Sequence, residues 1–379
     1  MTRPTLWAGV DTGEDTSRLS VVDDSLMPIF EETLPNHAGV IANALRGLGD
    51  VIIEDIALEA TGASQHIARG LRDRGFPVSL FHATHVSRYL RLSRNKTDKN
   101  DARGLATLAK LNLPSVKRVH LKSQDIQRLR AQLQFRQRLT IQRMACEGMI
   151  RSLIRLNGGW LKPSSTSALL VRNVTEAVAR IREEQGIDLT REIEALLDLA
   201  ASMRRFLERV ERELTDWARR SPVCSRLLEI PGVGPITAIS FYTAIEDPWR
   251  FKDPADVGAY LGLAPRVLQS GTSLQHGRIS KMGSGLTRSH LVSAATSLFI
   301  SKARDSPLRR WGMDLAARVG TRRAAVAAAR RLSVIMLGVW QSGRGYDCRL
   351  VEPRVRANSD LLTAGEPDDP EVRAEASTS

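Results

Sequence analysis

The sequence predicts three successive structural parts: an α/β N-terminal domain, a central helical coiled coil and a mainly α-helical C-terminal domain. Three observations support this prediction. Residues 1–115 alternate short apolar runs with segments of helical spacing. Residues 116–220 are basic and carry apolar residues at heptad spacing, and residues 221–345 hold helix-like segments separated by glycines. Residues 346–379 are rich in Pro, Asp, Glu, Ala and Ser, a composition that predicts a disordered tail.

The predicted N-terminal domain begins with a β-hairpin, since residues 6–10 and 19–22 are apolar runs joined by the polar turn DTGEDTS. Further strands are predicted at residues 56–58 and 76–81, and helices at residues 41–48, 64–74 and 101–111. A mixed α/β domain ending near residue 115 follows from this order of elements.

The central part is predicted as two long helices. Residues 117–156 contain ten Lys or Arg and two Asp or Glu without a proline, which predicts one basic helix ended by Gly158, Gly159 and Pro163. A second helix is predicted at about residues 189–219. Its apolar residues fall three and four apart, as in a coiled-coil seam, at Ile193, Leu196, Ala200, Met203, Leu207, Val210, Leu214 and Trp217. Its partner is either the basic helix or another subunit.

The overall charge predicts a polyanionic partner. The net charge is +13 and the isoelectric point is about 10.3, so phosphate contacts would supply much of the affinity for a nucleic acid. Arg128, Arg136 and Arg143 on the basic helix are candidate contacts. Aromatic residues make up only 5% of the chain, which weighs against a base-stacking platform. Three scattered cysteines, no membrane-length apolar run and no signal-peptide pattern predict a cytoplasmic protein.

Four carboxylates carry the clearest chemical signal. Asp11 follows the first predicted strand, Glu59 follows the central one, and Asp98 and Asp101 share one face at the start of the last helix of the domain. In an RNase H-type sheet these groups would meet. Such a cluster is tenable when a divalent cation neutralises it, and oxygen ligands select Mg²⁺ or Mn²⁺.

Two other interpretations of the carboxylates remain open. An Asp after a strand is commonly a turn residue, and NKTDKNDA also suits an ordinary helix cap. The segment GVDTGEDTS further resembles the phosphate loop of actin-like ATPases and sugar kinases, but the second phosphate hairpin of that fold has no counterpart in the sequence. Lys96 and Lys99 flank the acidic pair and are candidates for phosphate contact or for a solvated surface.

Two C-terminal segments suggest contacts with DNA or RNA phosphate. LLEIPGVGPITAIS resembles a helix-hairpin-helix motif, in which Gly232 and Gly234 would expose backbone N–H groups at a helix start. Further on, Ser270 precedes a glycine and is the leading candidate nucleophile, ahead of Ser273 and Ser280. Nearby cations that could stabilise a pentacoordinate phosphate are Arg266, Arg278, Lys281 and Arg288. Chemistry alone favours a plain turn at Ser270, since Ser-Gly is chiefly a turn signal.

Taken together, these motifs resemble those of the DEDD transposases of the insertion-sequence family numbered one hundred and ten, the RNA-guided bridge recombinases. GVDTG, ALEATG and NKTDKNDARGLA resemble the family's RuvC-like domain and correspond to Asp11, Glu59, Asp98 and Asp101. IPGVGPITA, RFKDPADVGAYLGLAP, QSG and GRISKMGSGLTR resemble its transposase domain. The resemblance extends to about residue 345 and keeps the family's order. TSLQHGR after the serine is less basic than expected.

The resemblance implies a DNA transposase or recombinase. It implies that the four carboxylates bind Mg²⁺, that Ser270 attacks DNA and forms a covalent phosphoserine link, and that carboxylates and serine of different subunits meet in a homodimer or homotetramer. It also implies a structured noncoding guide RNA that pairs with donor and target DNA. The expected location is the bacterial cytoplasm, at the nucleoid. The alternatives are a resolvase-like nuclease that uses metal-activated water, and an inactive nucleic-acid-binding relic.

Overall fold

The computed structural model describes residues 3–91, 97–162, 166–270, 273–300 and 305–348, with the backbone alone at 267–270 and 273–276. The chain divides into two compact units, Met1–Ser123 and Gln124–Ser379. The first unit extends past residue 115 because a short strand at Arg118–Val119 completes its sheet. The tail predicted to be disordered, apart from its first three residues, lies outside the described residues.

The first unit is built on a six-stranded mixed sheet. Its elements are β1 (Thr5–Thr12), β2 (Thr16–Val22), β3 (Pro28–Pro35), α1 (Ala38–Arg46), β4 (Ile52–Glu59), α2 (Ser64–Arg72), β5 (Val78–Phe81), α3 (Ala83–Leu90), α4 (Asp98–Leu111) and β6 (Arg118–Val119). The strand order is β3-β2-β1-β4-β5-β6. Strands β1, β4 and β5 are parallel, and β2, β3 and β6 run antiparallel to their neighbours.

Alternation along the central strands explains why helices cover both faces of this sheet. Ala8, Val10 and Leu58 point to one face and pack with α1 and α2. Trp7 and Ala57 point to the other face and pack with α4. The result is an α/β domain of mixed sheet and helices, consistent with an RNase H-like fold. Strand β3 was not predicted, and it forms the outer edge of the sheet.

The second unit is mainly helical. Its elements are α5 (Gln124–Leu156), α6 (Ser167–Gln185), α7 (Thr190–Arg220), α8 (Pro222–Leu227), α9 (Pro235–Ile245), a 3-10 turn (Pro248–Arg250), α10 (Asp256–Tyr260), β7 (Pro265–Ser270), β8 (Ser273–Ile279), α11 (Gly285–Ser297), α12 (Pro307–Val319) and α13 (Thr321–Ser342). Helices α5 and α7 pack along each other, so within one chain the basic helix is the partner of the heptad helix.

Two parts of the second unit differ from the prediction. The basic helix begins at Gln124 rather than at 117, because the chain first pairs β6 with β5. Helix α6 was not predicted, and it packs Val174 and Ile181 against Ile150 of α5. The main core of the unit gathers α8, α9, α11 and α13 around the adjoining ends of α5 and α7, so the coiled coil and the C-terminal helices form one body.

Candidate active site and nucleic-acid-binding surfaces

Backbone pairing brings Asp11 and Glu59 side by side. Strands β1 and β4 are parallel, and their pairing runs through Gly9 opposite Ala57 and Val10 opposite Leu58. Asp11 and Glu59 are each the next residue along, at the carboxyl ends of adjacent strands. Both residues are partly buried. The predicted juxtaposition of these two positions at one edge of the sheet follows directly from the strand register.

Both carboxylates share the sheet face that α4 covers. Successive side chains along a strand point to opposite faces, so Asp11 shares its face with Trp7 and Gly9. By the same rule Glu59 shares its face with Ala57. Trp7 and Ala57 pack with the buried leucines of α4. Asp11 and Glu59 therefore extend the α4-facing surface to the carboxyl edge of the sheet.

A glycine sets the distance between α4 and the sheet. A Cβ on Gly9 would lie 2.1 Å from the backbone oxygen of Ala102 and 2.3 Å from the backbone nitrogen of Ala106. Only a residue without a side chain permits this contact. Gly9 is two residues before Asp11, and Ala102 is the residue after Asp101. The close contact therefore brings the first turns of α4 against the strand that carries Asp11.

Asp98 and Asp101 lie in the first turn of α4. Thr97 caps the helix, its side chain accepting a hydrogen bond of 3.2 Å from the Asn100 backbone N–H. Asp101 precedes the buried residues Leu105 and Leu108 at helical spacing and is itself partly buried, whereas Asp98 is exposed. Carboxylates in a first turn also interact favourably with the helix dipole, so this position alone does not distinguish catalysis from helix stabilisation.

An ion-pair cluster holds α4 to the edge strand β3. The Glu31 carboxylate accepts a hydrogen bond of 2.9 Å from Arg103 Nη2 and lies 3.0 Å from Lys99 Nζ. The hydrogen bond from Arg103, assisted by Lys99, lowers the pKa of Glu31 to about 2. Lys99 is thus engaged by Glu31 in this structure, and Lys96 lies outside the described residues. Sequence reasoning missed Glu31, because its partners are distant along the chain.

A second residue that sequence reasoning missed is Arg18. It is the residue directly opposite Asp11 across the β1–β2 ladder. Residues paired across a ladder point to the same face, so Arg18 lies on the sheet face that carries Asp11. Its Nη1 donates a hydrogen bond of 2.9 Å to Thr33 Oγ1, which orients the guanidinium. The alternating pattern of β2 around a central arginine was the available signal.

The four carboxylates offer the oxygen ligands that Mg²⁺ and Mn²⁺ prefer. Within the described ranges, however, no group of three or more His, Cys, Asp or Glu side chains is arranged so that it could hold a metal ion. Asp11, Glu59 and Asp101 each interact with other groups. The fit to a divalent cation therefore rests on the kind of ligand and on the placement of the backbone.

The serine segment forms a hairpin where glycine-punctuated helices were expected. Strands β7 and β8 pair antiparallel, and Ser270 is opposite Ser273 beside the turn. The turn residues Gly271 and Thr272, and the side chains of Ser270 and Ser273, lie outside the described residues. Ser280 follows β8, and its N–H donates to the Ala264 carbonyl at 2.8 Å, so it closes the base of the hairpin rather than its tip.

The four cations predicted around the serine divide into two kinds. Arg266, Arg278 and Lys281 are exposed, and Arg278 and Lys281 line a cavity of about 930 Å³. Arg288 instead donates from Nη1 to the carbonyls of Leu261, at 3.1 Å, and Met282, at 3.2 Å. These hydrogen bonds hold the loop after β8, so the described contacts of Arg288 are structural.

The PGVG segment forms the turn between α8 and α9. Gly232 has a φ of +82°, and a Cβ on it would lie 2.8 Å from the Ala294 carbonyl oxygen, so the turn needs glycine there. Gly234 is the N-cap of α9, has no side-chain cap and faces open space. Pro235 at the first helical position has no N–H, so the first-turn N–H groups that remain for an anion belong to Ile236 and to the buried Thr237. The structure thus has a tight turn between two helices at this position, and the helix-hairpin-helix motif stays a prediction.

The predicted phosphate contacts on α5 also divide. Arg128 is exposed. Arg136 Nε donates to Glu211 Oε1 of α7 at 2.8 Å. Arg143 pairs with Glu147 at 2.5 Å, and Arg204 of α7 lies 3.2 Å from the same oxygen. Arg136 and Arg143 therefore pair with carboxylates of the coiled coil, and Arg128 presents its charge to solvent.

Comparison with known proteins adds the family. Residues 8–156 match the DEDD transposase model of IS110 elements, and residues 224–309 match the model described as "Transposase IS116/IS110/IS902 family". A Sinorhizobium fredii chain named as a transposase, y4pF/y4sB, is 30% identical over 347 residues, which cover 89% of this chain and 84% of that one. The chain belongs to the IS110 family of DEDD transposases.

Two further relatives agree with this assignment. The transposase for insertion sequence element IS1111A of Coxiella burnetii is 29% identical over 345 residues, covering 90% of this chain and 91% of the relative. A Pseudomonas aeruginosa chain named as a family 20 transposase is 29% identical over 285 residues, covering 74% and 82%. Membership makes this transposase a DNA-processing enzyme with DNA as its substrate. Among the described residues, no helix is long and apolar enough to cross a membrane.

Proposed function

We propose that this transposase excises and inserts its insertion sequence by attack of Ser270 on DNA phosphodiesters, assisted by the carboxylates of Asp11, Glu59, Asp98 and Asp101. One observation carries the proposal. The parallel register of β1 and β4 sets the Asp11 and Glu59 positions side by side, and α4, which carries Asp98 and Asp101 in its first turn, packs against β1 at Gly9. A merely structural sheet has no need of acidic residues at two adjacent strand ends beside an acidic helix start, since close carboxylates repel.

The serine step conserves phosphodiester bonds. As the Ser270 Oγ–P bond forms, the P–O bond to the leaving deoxyribose oxygen breaks, the hydroxyl proton passes to a base and the leaving oxygen takes up a proton. A covalent serine–DNA phosphodiester and a free DNA end result. Attack by a second DNA hydroxyl on that link releases the serine and joins the strands, so neither an oxidant nor a nucleotide cofactor is required.

The carboxylates are proposed to hold Mg²⁺ or Mn²⁺. A bound divalent cation supplies neutralisation of the charge that develops on the transferred phosphoryl oxygens. The protein's own residues keep Asp11 and Glu59 on rigid adjacent strands, and Glu31 keeps α4 against the sheet. Arg18, opposite Asp11, is proposed to contact a DNA phosphate beside the carboxylates, because a guanidinium offers several donors in a fixed plane.

A structured noncoding RNA is proposed to choose the DNA sites. The chain has few aromatic residues and a large positive surplus, a combination suited to gripping nucleic-acid backbones rather than to reading bases. Base pairing between a guide RNA and the DNA would supply the missing specificity, as in other guided enzymes. The exposed Arg128 of α5 and the N-terminus of α9 are proposed to bind backbone phosphate. Exposed apolar residues on the coiled coil, including Phe135, Ile141 and Phe206, support assembly into a dimer or tetramer.

The test is formation of the excised circular junction, measured by quantitative PCR in cells that carry the gene with its native flanking DNA. Ser270→Ala and Asp11→Asn are each expected to reduce the junction by more than about a thousandfold. The matched controls are Ser273→Ala, Ser280→Ala and Asp15→Asn, an exposed aspartate in the β1–β2 turn; each is expected to retain the junction.

A second readout separates the proposal from the nuclease alternative. Purified protein incubated with DNA and Mg²⁺ is expected to yield a covalent protein–DNA adduct that Ser270→Ala abolishes. Cleavage without an adduct, dependent on Asp11 and insensitive to Ser270→Ala, would establish a resolvase-like nuclease that uses activated water. Loss of the adduct in Ser273→Ala alone would move the nucleophile to Ser273.

A further inference from the structure

A cationic cavity lies beside the base of the serine hairpin. It has a volume of about 930 Å³ and is lined by residues of β7, β8, α12 and α13 and of the segment that precedes β7. Its charged lining residues are Arg278, Lys281, Arg322, Arg323, Arg330 and Arg331. No carboxylate is among the described residues that line it. A concentration of positive charge in one concave site indicates an anionic ligand.

The lining residues are built into the site by packing. The Arg331 guanidinium stacks on the Trp311 ring, with its carbon 3.4 Å from the ring centroid. The stem of Arg330 crosses Gly258, where a Cβ would lie 2.8 Å from its Cγ. Burial lowers the pKa of Arg331 to about 10, which leaves the guanidinium charged at neutral pH. These contacts hold two of the cations against the wall of the cavity rather than free in solvent.

The position of Arg322 and Arg323 in their helix gives a second indication. They lie in the first turn of α13, are exposed, and have no acidic residue beside them in that turn. Cations at a helix N-terminus are unfavourable, because the helix dipole is positive there. Helix stability therefore does not account for the pair. An anionic ligand of the cavity would account for the two arginines.

The apolar part of the lining narrows the ligand further. The apolar lining includes Leu263, Val326 and Val334. A duplex stacks its base faces on one another, so those faces are not available to the apolar part of the lining. A single strand presents base faces together with phosphates. The size of the cavity is also at the upper end of small-ligand sites, room for a few nucleotides and not for a duplex.

We propose that this cavity binds a single-stranded segment of nucleic acid, with its phosphates on the arginines and its bases against the apolar wall. The inference rests on the proposed function for the kind of polymer, a nucleic acid handled by a transposase. Pro265, Gly277 and Arg278 belong to both the cavity and the hairpin. Ser270 is five residues beyond Pro265 along β7, roughly 16 Å at ~3.3 Å per residue, so the bound strand approaches the proposed nucleophile.

The experiment measures fluorescence anisotropy of a labelled thymidine 20-mer and of a duplex of equal length with the full chain. Arg322→Ala/Arg323→Ala is expected to weaken single-strand binding about tenfold or more. The negative slope of log K against log salt should become shallower by about 1.4, since each single-strand phosphate contact contributes about 0.7 to its magnitude. Duplex binding is expected to change less than twofold. The melting temperature should not fall, because both arginines oppose the helix dipole.

The matched control is Arg219→Ala/Arg318→Ala, which removes two exposed arginines outside the cavity. It is expected to bind the single strand like the unaltered protein. Ala327→Glu, which places a carboxylate in the lining, is expected to weaken single-strand binding as the first pair does. If both double arginine variants lose the same single-strand affinity, the loss comes from the overall positive charge and not from the cavity. Unchanged single-strand binding in Ala327→Glu and Arg322→Ala/Arg323→Ala would overturn the proposal. Either result is independent of the junction assay, and Ser270→Ala should bind the single strand normally.

Discussion

The carboxylate edge and the serine hairpin are held in place by different means. Asp11 and Glu59 stand on two central strands of a six-stranded sheet, with helices on both faces. Ser270 stands at the end of a two-stranded sheet whose strands pair only with each other in the described chain. Two-stranded ribbons are marginal by themselves, and this hairpin gains support from the hydrogen bonds of Ser280 to Ala264 and of Lys281 to Gly262 at its base.

The difference has a physical consequence for each group. The positions of Asp11 and Glu59 depend on strand register and on the packing of α4. A substitution in that packing should therefore disturb the carboxylate edge even when it lies away from the acidic residues. The serine depends on a local turn and on the base of its hairpin. Substitutions that disturb packing are therefore expected to act more strongly on the carboxylate edge.

Gly9→Ala should have the largest effect. The added Cβ would lie 2.1 Å from the Ala102 backbone oxygen, so α4 must move away from β1. Overpacking of this kind costs about 1–3 kcal/mol or more in the free energy of unfolding, and it displaces Asp101 from Asp11. We expect lower stability in urea unfolding and loss of the circular junction.

Gly62→Ala is the control for Gly9→Ala. Gly62 is exposed, and a Cβ there meets nothing within 4 Å. The free energy of unfolding of Gly62→Ala should lie within about 0.5 kcal/mol of that of the unaltered protein, and the variant should still form the circular junction. A Gly9→Ala protein with normal stability and normal excision would show that the close contact between α4 and β1 is not needed to place the carboxylates.

The sequence predicts more of the carboxylate edge than of the hairpin. Strand-end positions can be inferred for Asp11 and Glu59 because buried central strands carry strong apolar runs. The start of α4 at Asp98 rather than 101 depends on the Thr97 cap, which local pattern indicates only weakly. The Ser-Gly pair at Ser270 is a turn signal, but the short polar residues around it leave no apolar alternation to mark the strands β7 and β8.

Tertiary partners account for the rest of what the sequence does not predict. Strand β3 carries Glu31 and Glu32 in succession, which breaks the alternation expected of a strand, and Glu31 contacts α4 some 72 residues further along. Arg136 and Arg143 have the same local appearance as Arg128, yet pairing with carboxylates at Glu211 and Glu147 changes their role. Ion pairs between distant segments leave no periodic signal.

Glu31→Gln should have an intermediate effect. The neutral amide loses the charge interaction with Arg103 and Lys99, which we expect to cost about 1 kcal/mol because both cations are partly exposed. The pKa of Glu31 is lowered from 4.5 to about 2 in the folded protein. Its contribution is therefore complete above pH 4.5 and is lost as the pH falls toward 2. Urea unfolding at pH 6 and pH 3 should show a smaller difference for Glu31→Gln than for the unaltered protein.

Glu32→Gln provides the comparison for Glu31, since Glu32 is its exposed neighbour on β3. It should keep the unaltered pH response and normal excision. Because Glu31 holds α4 without touching the reacting atoms, its loss is expected to reduce the junction only about tenfold. Full loss of excision in a stably folded Glu31→Gln protein would instead make Glu31 part of the acidic site.

The smallest effects should separate two arginines of α5. Arg128→Ala is expected to leave the free energy of unfolding unchanged. The negative slope of log K against log salt for duplex binding should become shallower by about 0.9, which corresponds to the loss of one phosphate contact. Arg136→Ala should cost about 0.5 kcal/mol of stability, from its pair with Glu211, and leave the slope unchanged. Glu211→Gln breaks the same pair while keeping the cation, so it should match Arg136→Ala in stability. If Arg136→Ala instead lowers the slope as Arg128→Ala does, the coiled-coil pair opens on binding and Arg136 contacts the nucleic acid after all.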